Sequence, residues 1–147
     1  MTLPFQREKR RKVRIVNNVE EYSLCRRGNS VSEFVKASRT SDLAEGGLKR
    51  VTVGGTGILL AQANGQYYAT GLLCPHLEAD LSEGTLNGTI LTCPMHSSQF
   101  DLRDGRVVRW TNLEGTILAY AKKTRPPRPL KCYEVRVEGD TIFIGLP

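Results

Sequence analysis

The chain has two histidines, and both stand beside cysteines, as Cys74-Pro75-His76 and as Cys93-Pro94-Met95-His96. Thiolate sulfur and imidazole nitrogen are the usual protein ligands of zinc and of iron–sulfur centres. The four side chains read as a C-x-H pair, sixteen intervening residues and a C-x-x-H pair. Two kinds of centre take two sulfurs and two nitrogens. A structural zinc site normally separates its first two ligands by two to four residues, so that both reach one ion from a single turn. Here only Pro75 lies between Cys74 and His76, and side chains so spaced diverge toward two ions more readily than they close on one. The second kind is a pair of irons bridged by two sulfides, with Cys74 and Cys93 on one iron and His76 and His96 on the other.

Ligands of this kind need rigid loops, and the surrounding sequence supplies strands to carry them. From Glu33 onward, short apolar runs alternate with glycine-bearing turns: "EFVKAS", "KRVTVGG", "GILLAQANG", "QYYAT", "GTLNG", "TILTC", "SQFDLRDG", "RVVRW", "KCYEVRVEGD" and "TIFIGLP". About nine short strands at this spacing form a small sandwich or barrel, because a sheet with one apolar face must pack on another sheet or curl on itself. Asn64-Gly65, Asn87-Gly88 and Asp104-Gly105 are expected to form type I′ hairpin turns, and Glu138-Gly139-Asp140 a similar one. In the last hairpin Tyr133, Val135 and Val137 alternate with Glu134, Arg136 and Glu138, the period of a half-buried strand. "LEGTILAYAKK" is expected to be a short helix or an irregular strand, followed by Pro126, Pro127 and Pro129.

Residues 72–102 resemble the Rieske proteins, in which two hairpin loops grip a [2Fe-2S] cluster from opposite sides. The resemblance extends from about residue 34 to the end, through "SEGTLNGTILTCPMHSSQFDLRDGRVV" and "RPLKCYEVRVEGDTIFI". It implies an all-β fold, a small antiparallel sandwich or barrel with a hairpin cluster-binding subdomain over residues 33–147, preceded by a basic extension over residues 1–32. It also implies one [2Fe-2S] cluster with Cys74, His76, Cys93 and His96 as ligands, and both histidines near the surface as the electron exit. In membrane-bound respiratory members each loop adds a cysteine and the two form a disulfide; the matching positions here are Ala79 and Met95. Those members also direct a serine and a tyrosine hydroxyl at the cluster sulfurs. Ser98 matches the serine and is assigned to the cofactor site, but Phe100, at the aromatic position, has no hydroxyl. The prolines after residue 125 match a third loop that shields the cluster.

Electrostatics gives the mixed ligand set a meaning. Two ferric ions, two sulfides and two thiolates carry no net charge, whereas four thiolates would leave a dianion, and adding an electron to a neutral centre in a low-dielectric site costs less. Neutral histidines therefore raise the reduction potential by roughly a few hundred millivolts over all-cysteine clusters. The implied function is one-electron transfer, from a reductase to a terminal oxygenase or other oxidoreductase. Two other readings stay open: an accessory subunit like the small Rieske-like subunit of nitrite reductase, and a zinc-binding interaction module. A self-sufficient oxygenase is excluded, because a mononuclear iron needs two further histidines and none remains. No G-x-G-x-x-G loop for a flavin or nicotinamide nucleotide is present, so the chain is not expected to catalyse a reaction on its own.

Composition agrees with an ordinary globular protein, 39% hydrophobic and 24% charged. Four cysteines in 147 residues are too few for a disulfide scaffold, and the N-terminus shows no apolar run of signal-peptide or anchor type. Cytoplasmic residence is expected, with neither membrane nor nucleic acid as a partner. The net charge of +6 is concentrated in residues 1–14, which carry six basic side chains and one acidic, and a solvated tail explains that without a binding role. Cys132 is expected to be a small buried apolar residue and Trp110 a core aromatic; Cys25 in the extension is uninformative. Lacking the tyrosine hydroxyl, the centre is predicted to lie in the low half of the Rieske range, about −150 to +300 mV. Voltammetry of the holoprotein checks this, and a potential above about +200 mV would refute it.

Overall fold

The computed structural model describes residues 13–15 and 33–147. The basic tail and the short helix expected from Asn18 fall, apart from residues 13–15, outside the described residues. The strands are β1 (Val13–Ile15), β2 (Glu33–Arg39), β3 (Leu48–Val53), β4 (Thr56–Ala63), β5 (Gln66–Gly71), β6 (Thr85–Asn87), β7 (Ile90–Thr92), β8 (Gln99–Asp101), β9 (Val107–Arg109), β10 (Cys132–Glu138) and β11 (Thr141–Leu146). One helix, α1 (Gly115–Thr124), stands between β9 and β10, so "LEGTILAYAKK" resolves into a helix.

The larger sheet runs β2-β11-β10-β5-β4-β3, with β1 alongside β10; the smaller is β6-β7-β8-β9. Every pairing is antiparallel. Along one edge β10 changes neighbour: Cys132 and Tyr133 pair with β5, whereas Arg136 to Glu138 pair with β1. The end strands β2 and β3 approach each other, which curls the larger sheet toward a barrel. The expected all-β architecture with a separate hairpin subdomain is therefore present. No helix among the described residues is long and apolar enough to cross a membrane.

Strand β4 explains how the two parts are joined. Ile58 and Leu60 point into the barrel core with Val51, Val135, Ile142 and Ile144. Leu59, Ala61 and Ala63 point the other way, into a second core with Leu81, Leu91 and Phe100 of the hairpin subdomain. Successive strand residues face opposite sides, so a strand buried on both faces must read as an unbroken apolar run, and "GILLA" does.

The hairpin turns correct part of the sequence reading. Asn64 (φ +53°) and Gly65 (φ +73°) form the expected type I′ geometry. Asn87, however, is the last residue of β6 and pairs with Ile90, so the turn is Gly88-Thr89, with positive φ only at Gly88. Asp104-Gly105 is not a two-residue turn either: it lies in a longer loop in which the Gly105 N–H donates to Asp101 O at 2.7 Å. Gly105 is required there by close approach, since a Cβ would lie 2.3 Å from Leu130 O.

That loop is organised by a buried carboxylate. Asp101, fully inaccessible, accepts from Arg103 Nη2 at 2.6 Å, from Arg106 Nη2 at 3.2 Å and from the Arg103 N–H at 3.0 Å. Burial by itself pushes this carboxyl up, but the Arg103 hydrogen bonds and charge outweigh it and hold it below the ordinary carboxylate value. Asp101→Asn is predicted to lower holoprotein stability by about 2 kcal/mol at neutral pH, modest for a broken buried pair because both guanidinium groups stay partly in water. A depressed carboxylate stabilises above its unfolded value of about 3.9. Its contribution is lost as pH falls through the lower folded value, so denaturant titrations of wild type and variant should converge only in strong acid.

Candidate metal centre

Two loops of matching geometry carry the four candidate ligands. The first follows β5, entered and left across the Leu73–Asp80 bridge; the second joins β7 to β8. In the first, the Cys74 N–H donates to Ala79 O, and in the second the Cys93 N–H donates to Ser98 O, both at 2.8 Å. Each cysteine thus closes a ring onto the carbonyl five residues on. Each is followed by proline, and the fourth residue after each has positive φ, Glu78 at +59° and Ser97 at +56°. Non-glycine residues bear a cost of roughly 1 kcal/mol in that region, which the closing bonds offset. The loops differ in one respect: histidine is third in the first and fourth in the second.

The loops bring the ligands into one place. The His76 and His96 rings lie 5.2 Å apart, edge to face, and the buried thiols of Cys74 and Cys93 are near enough for one to perturb the other. Among the described residues no three His, Cys, Asp or Glu side chains converge on a single point, as one tetrahedral ion needs. His76 Nδ1 is buried without a hydrogen-bond partner, a cost of about 1–3 kcal/mol unless an acceptor or a metal binds there. Burial lowers the His76 value, and His96 and Arg125 lower it further, which keeps the ring neutral as ligation requires. Burial pushes the Cys74 thiol up, opposed by the His76 N–H and by the Ser98 hydroxyl, while Cys93 adds to the rise. Thiols of this kind lose their protons readily only to a bound metal. This donor set, two soft sulfurs and two imidazole nitrogens in separate pairs, fits a [2Fe-2S] cluster.

The sequence pattern described as the Rieske [2Fe-2S] domain matches residues 33–134. The chain belongs to that family. A [2Fe-2S] cluster is accordingly its cofactor, and one-electron transfer its chemistry. The ferredoxin component of the naphthalene 1,2-dioxygenase system of Pseudomonas aeruginosa is 32% identical over 114 residues, covering 78% of this chain and 96% of that protein. The ferredoxin component of the p-cumate 2,3-dioxygenase system of Pseudomonas putida is 33% identical over 118 residues, covering 79% and 88%. A chain in the solved complex of reduced oxygenase and oxidized ferredoxin in carbazole 1,9a-dioxygenase superposes with a TM-score of 0.60 at 29% identity, covering 76% of this chain and 92% of that one.

Around the candidate ligands the Rieske domain departs from the sequence reading in instructive ways. His96 is partly exposed, but His76 is only 7% exposed. The Trp110 ring covers it at 5.0 Å, and Arg125 Nη1 donates to His76 O at 3.0 Å. Trp110 is a core residue as expected, and it also touches His76, which its sequence context did not show. Arg125 ties the proline-bearing segment to the first loop. Ser98 is fully buried, and its hydroxyl donates to Trp110 O. Phe100 packs edge-on to Trp110 at 6.5 Å. Ala79 is buried and Met95 is 61% exposed, and neither position holds a thiol. Cys132 is half-buried and disulfide-bonded, so it is not the buried apolar thiol expected.

Trp110 joins both loops, through His76 and through Ser98, and its Nε1 donates to Arg125 O at 2.9 Å. Trp110→Leu is predicted to leave the barrel folded but to speed cluster loss about tenfold, since the variant forfeits roughly 1–3 kcal/mol of packing and hydrogen bonding at the site. Decay of the visible absorbance in chelator measures this.

Proposed function

We propose that Cys74 and Cys93 hold one iron of the cluster and His76 and His96 the other, and that the protein serves in the cytoplasm as the ferredoxin component of an oxygenase system. It takes single electrons from a reductase and hands them to a terminal oxygenase. The observation that carries the ligand assignment is the orphaned His76 Nδ1, buried 5.2 Å ring to ring from His96. The likeness to dioxygenase ferredoxin components along most of their length supports the partner class.

When bound, the cluster supplies a one-electron couple of raised potential. The chain's residues do the rest. Cys74 and Cys93 lie in the second core and anchor the inner side. His96, the accessible histidine, forms the edge through which the electron leaves. Trp110 and Arg125 keep water from His76, which sustains a low local dielectric around the ligand pair. Ser98, whose hydroxyl lies near the Cys74 sulfur, fixes the second loop against the Trp110 backbone.

Purified holoprotein is expected to be red-brown, with two irons and two acid-labile sulfides per chain, and pulsed EPR of the reduced form should show nitrogen coupling from two imidazoles. His96→Ala should abolish that coupling and the cluster with it, leaving the barrel folded. A colourless preparation holding one zinc would overturn the proposal in favour of an interaction module.

A further inference from the structure

The stretch from Arg109 to Lys131 is fastened to both ligand loops. Near its start the Asn112 N–H donates to His96 O at 3.0 Å, and Arg109 Nε donates to Ser97 O at 3.0 Å. Farther on, Arg125 Nη1 donates to His76 O at 3.0 Å, and the Trp110 Nε1–Arg125 O bond of 2.9 Å draws the two ends together. Helix α1 stands between these pins and buries none of its residues. Ile117 and Tyr120, three apart and so on one face, are 61% and 70% exposed. A ten-residue helix gains too little from its own hydrogen bonds to justify apolar side chains left in water. Leu77 and Met95, the neighbours of His76 and His96, are exposed as well, on the two loops to which the segment carrying α1 is pinned.

Charge sets the character of its occupant. From Arg109 to Lys131 the chain has six basic side chains and one acidic, Glu114, whereas the rest of residues 33–147 has seven basic and eleven acidic. The segment pinned to both metal loops is therefore the positive part of residues 33–147, although the first of those loops itself carries Glu78 and Asp80. Among the described residues Lys122, Lys123 and Arg128 have no ion-pair partner and are exposed. They are cations left for another molecule.

We propose that α1 and its basic flanks form the docking face for the redox partner, and that this partner presents an apolar patch ringed by carboxylates. The inference rests on the electron-carrier reading and adds to it the sign of the interface. Lys122, Lys123 and Arg128 steer the acidic partner, and Ile117 and Tyr120 seat it beside His96, the accessible ligand. Oppositely charged faces of this kind raise association rates by about 10- to 1,000-fold at low salt.

Reduced holoprotein is mixed by stopped flow with either of two ferric haem proteins, each taking one electron from the reduced cluster: a soluble cytochrome b5 domain, acidic around its haem edge, and cytochrome c, basic around its own. Transfer to cytochrome b5 should fall about tenfold between about 20 and about 300 mM salt, and transfer to cytochrome c should rise. The triple variant Lys122→Glu, Lys123→Glu, Arg128→Glu should lose about tenfold toward cytochrome b5 at low salt and little at high salt. Tyr120→Ser should slow the reaction severalfold at every salt concentration. Rates toward cytochrome b5 that ignore salt and the triple variant, with the imidazole-coupled EPR signal intact, would overturn the docking face alone. Binding of the holoprotein to anionic phospholipid vesicles without steered transfer would do the same. Absence of that signal from the wild-type protein would instead sink the electron-carrier reading, and the docking face with it.

Discussion

Two hydrogen bonds of 2.8 Å, from the N–H of each candidate ligand cysteine to the carbonyl five residues on, set the conditions for the rest of the site. They hold Glu78 and Ser97 in backbone conformations that neither residue prefers, and so turn a sulfur and a nitrogen from each loop toward a common space. The one-residue difference in histidine position distinguishes two loops that are otherwise alike. His76 is drawn beneath Trp110 and Arg125, and His96 is left toward solvent.

The family was the most legible part of the sequence, since metal chemistry restricts both residue types and spacing in the motif that points to it. The all-β class was legible from glycine-punctuated apolar runs, and Asn64-Gly65 located its turn correctly. Asn87-Gly88 and Asp104-Gly105 misled for separate reasons. A strand that extends one residue farther moves the turn to Gly88-Thr89, and a glycine can be demanded by a passing carbonyl, as Gly105 is by Leu130 O, with no hairpin involved. Register and close approach are tertiary facts, and local sequence does not encode them.

The parts that escaped the sequence lie in the segment before the last hairpin. Trp110 reads as core and is core, but only three-dimensional packing puts its ring on His76. Arg125 reads as one cation among several, and its bond to a carbonyl 49 residues away in the chain is a long-range contact without any local signature. Cys132 failed for a related reason: whether a lone cysteine is bridged depends on what the fold places opposite it, and composition argues only from averages. The chemistry was written in short motifs, while its protection was assembled from distant residues.

Strand β4 is a party wall. Leu59 and Ala61 line the compartment beneath the metal loops, and Ile58 and Leu60 line the barrel on its other side. A shift along this strand disturbs both compartments at once. The barrel thereby becomes a mechanical brace for the redox site.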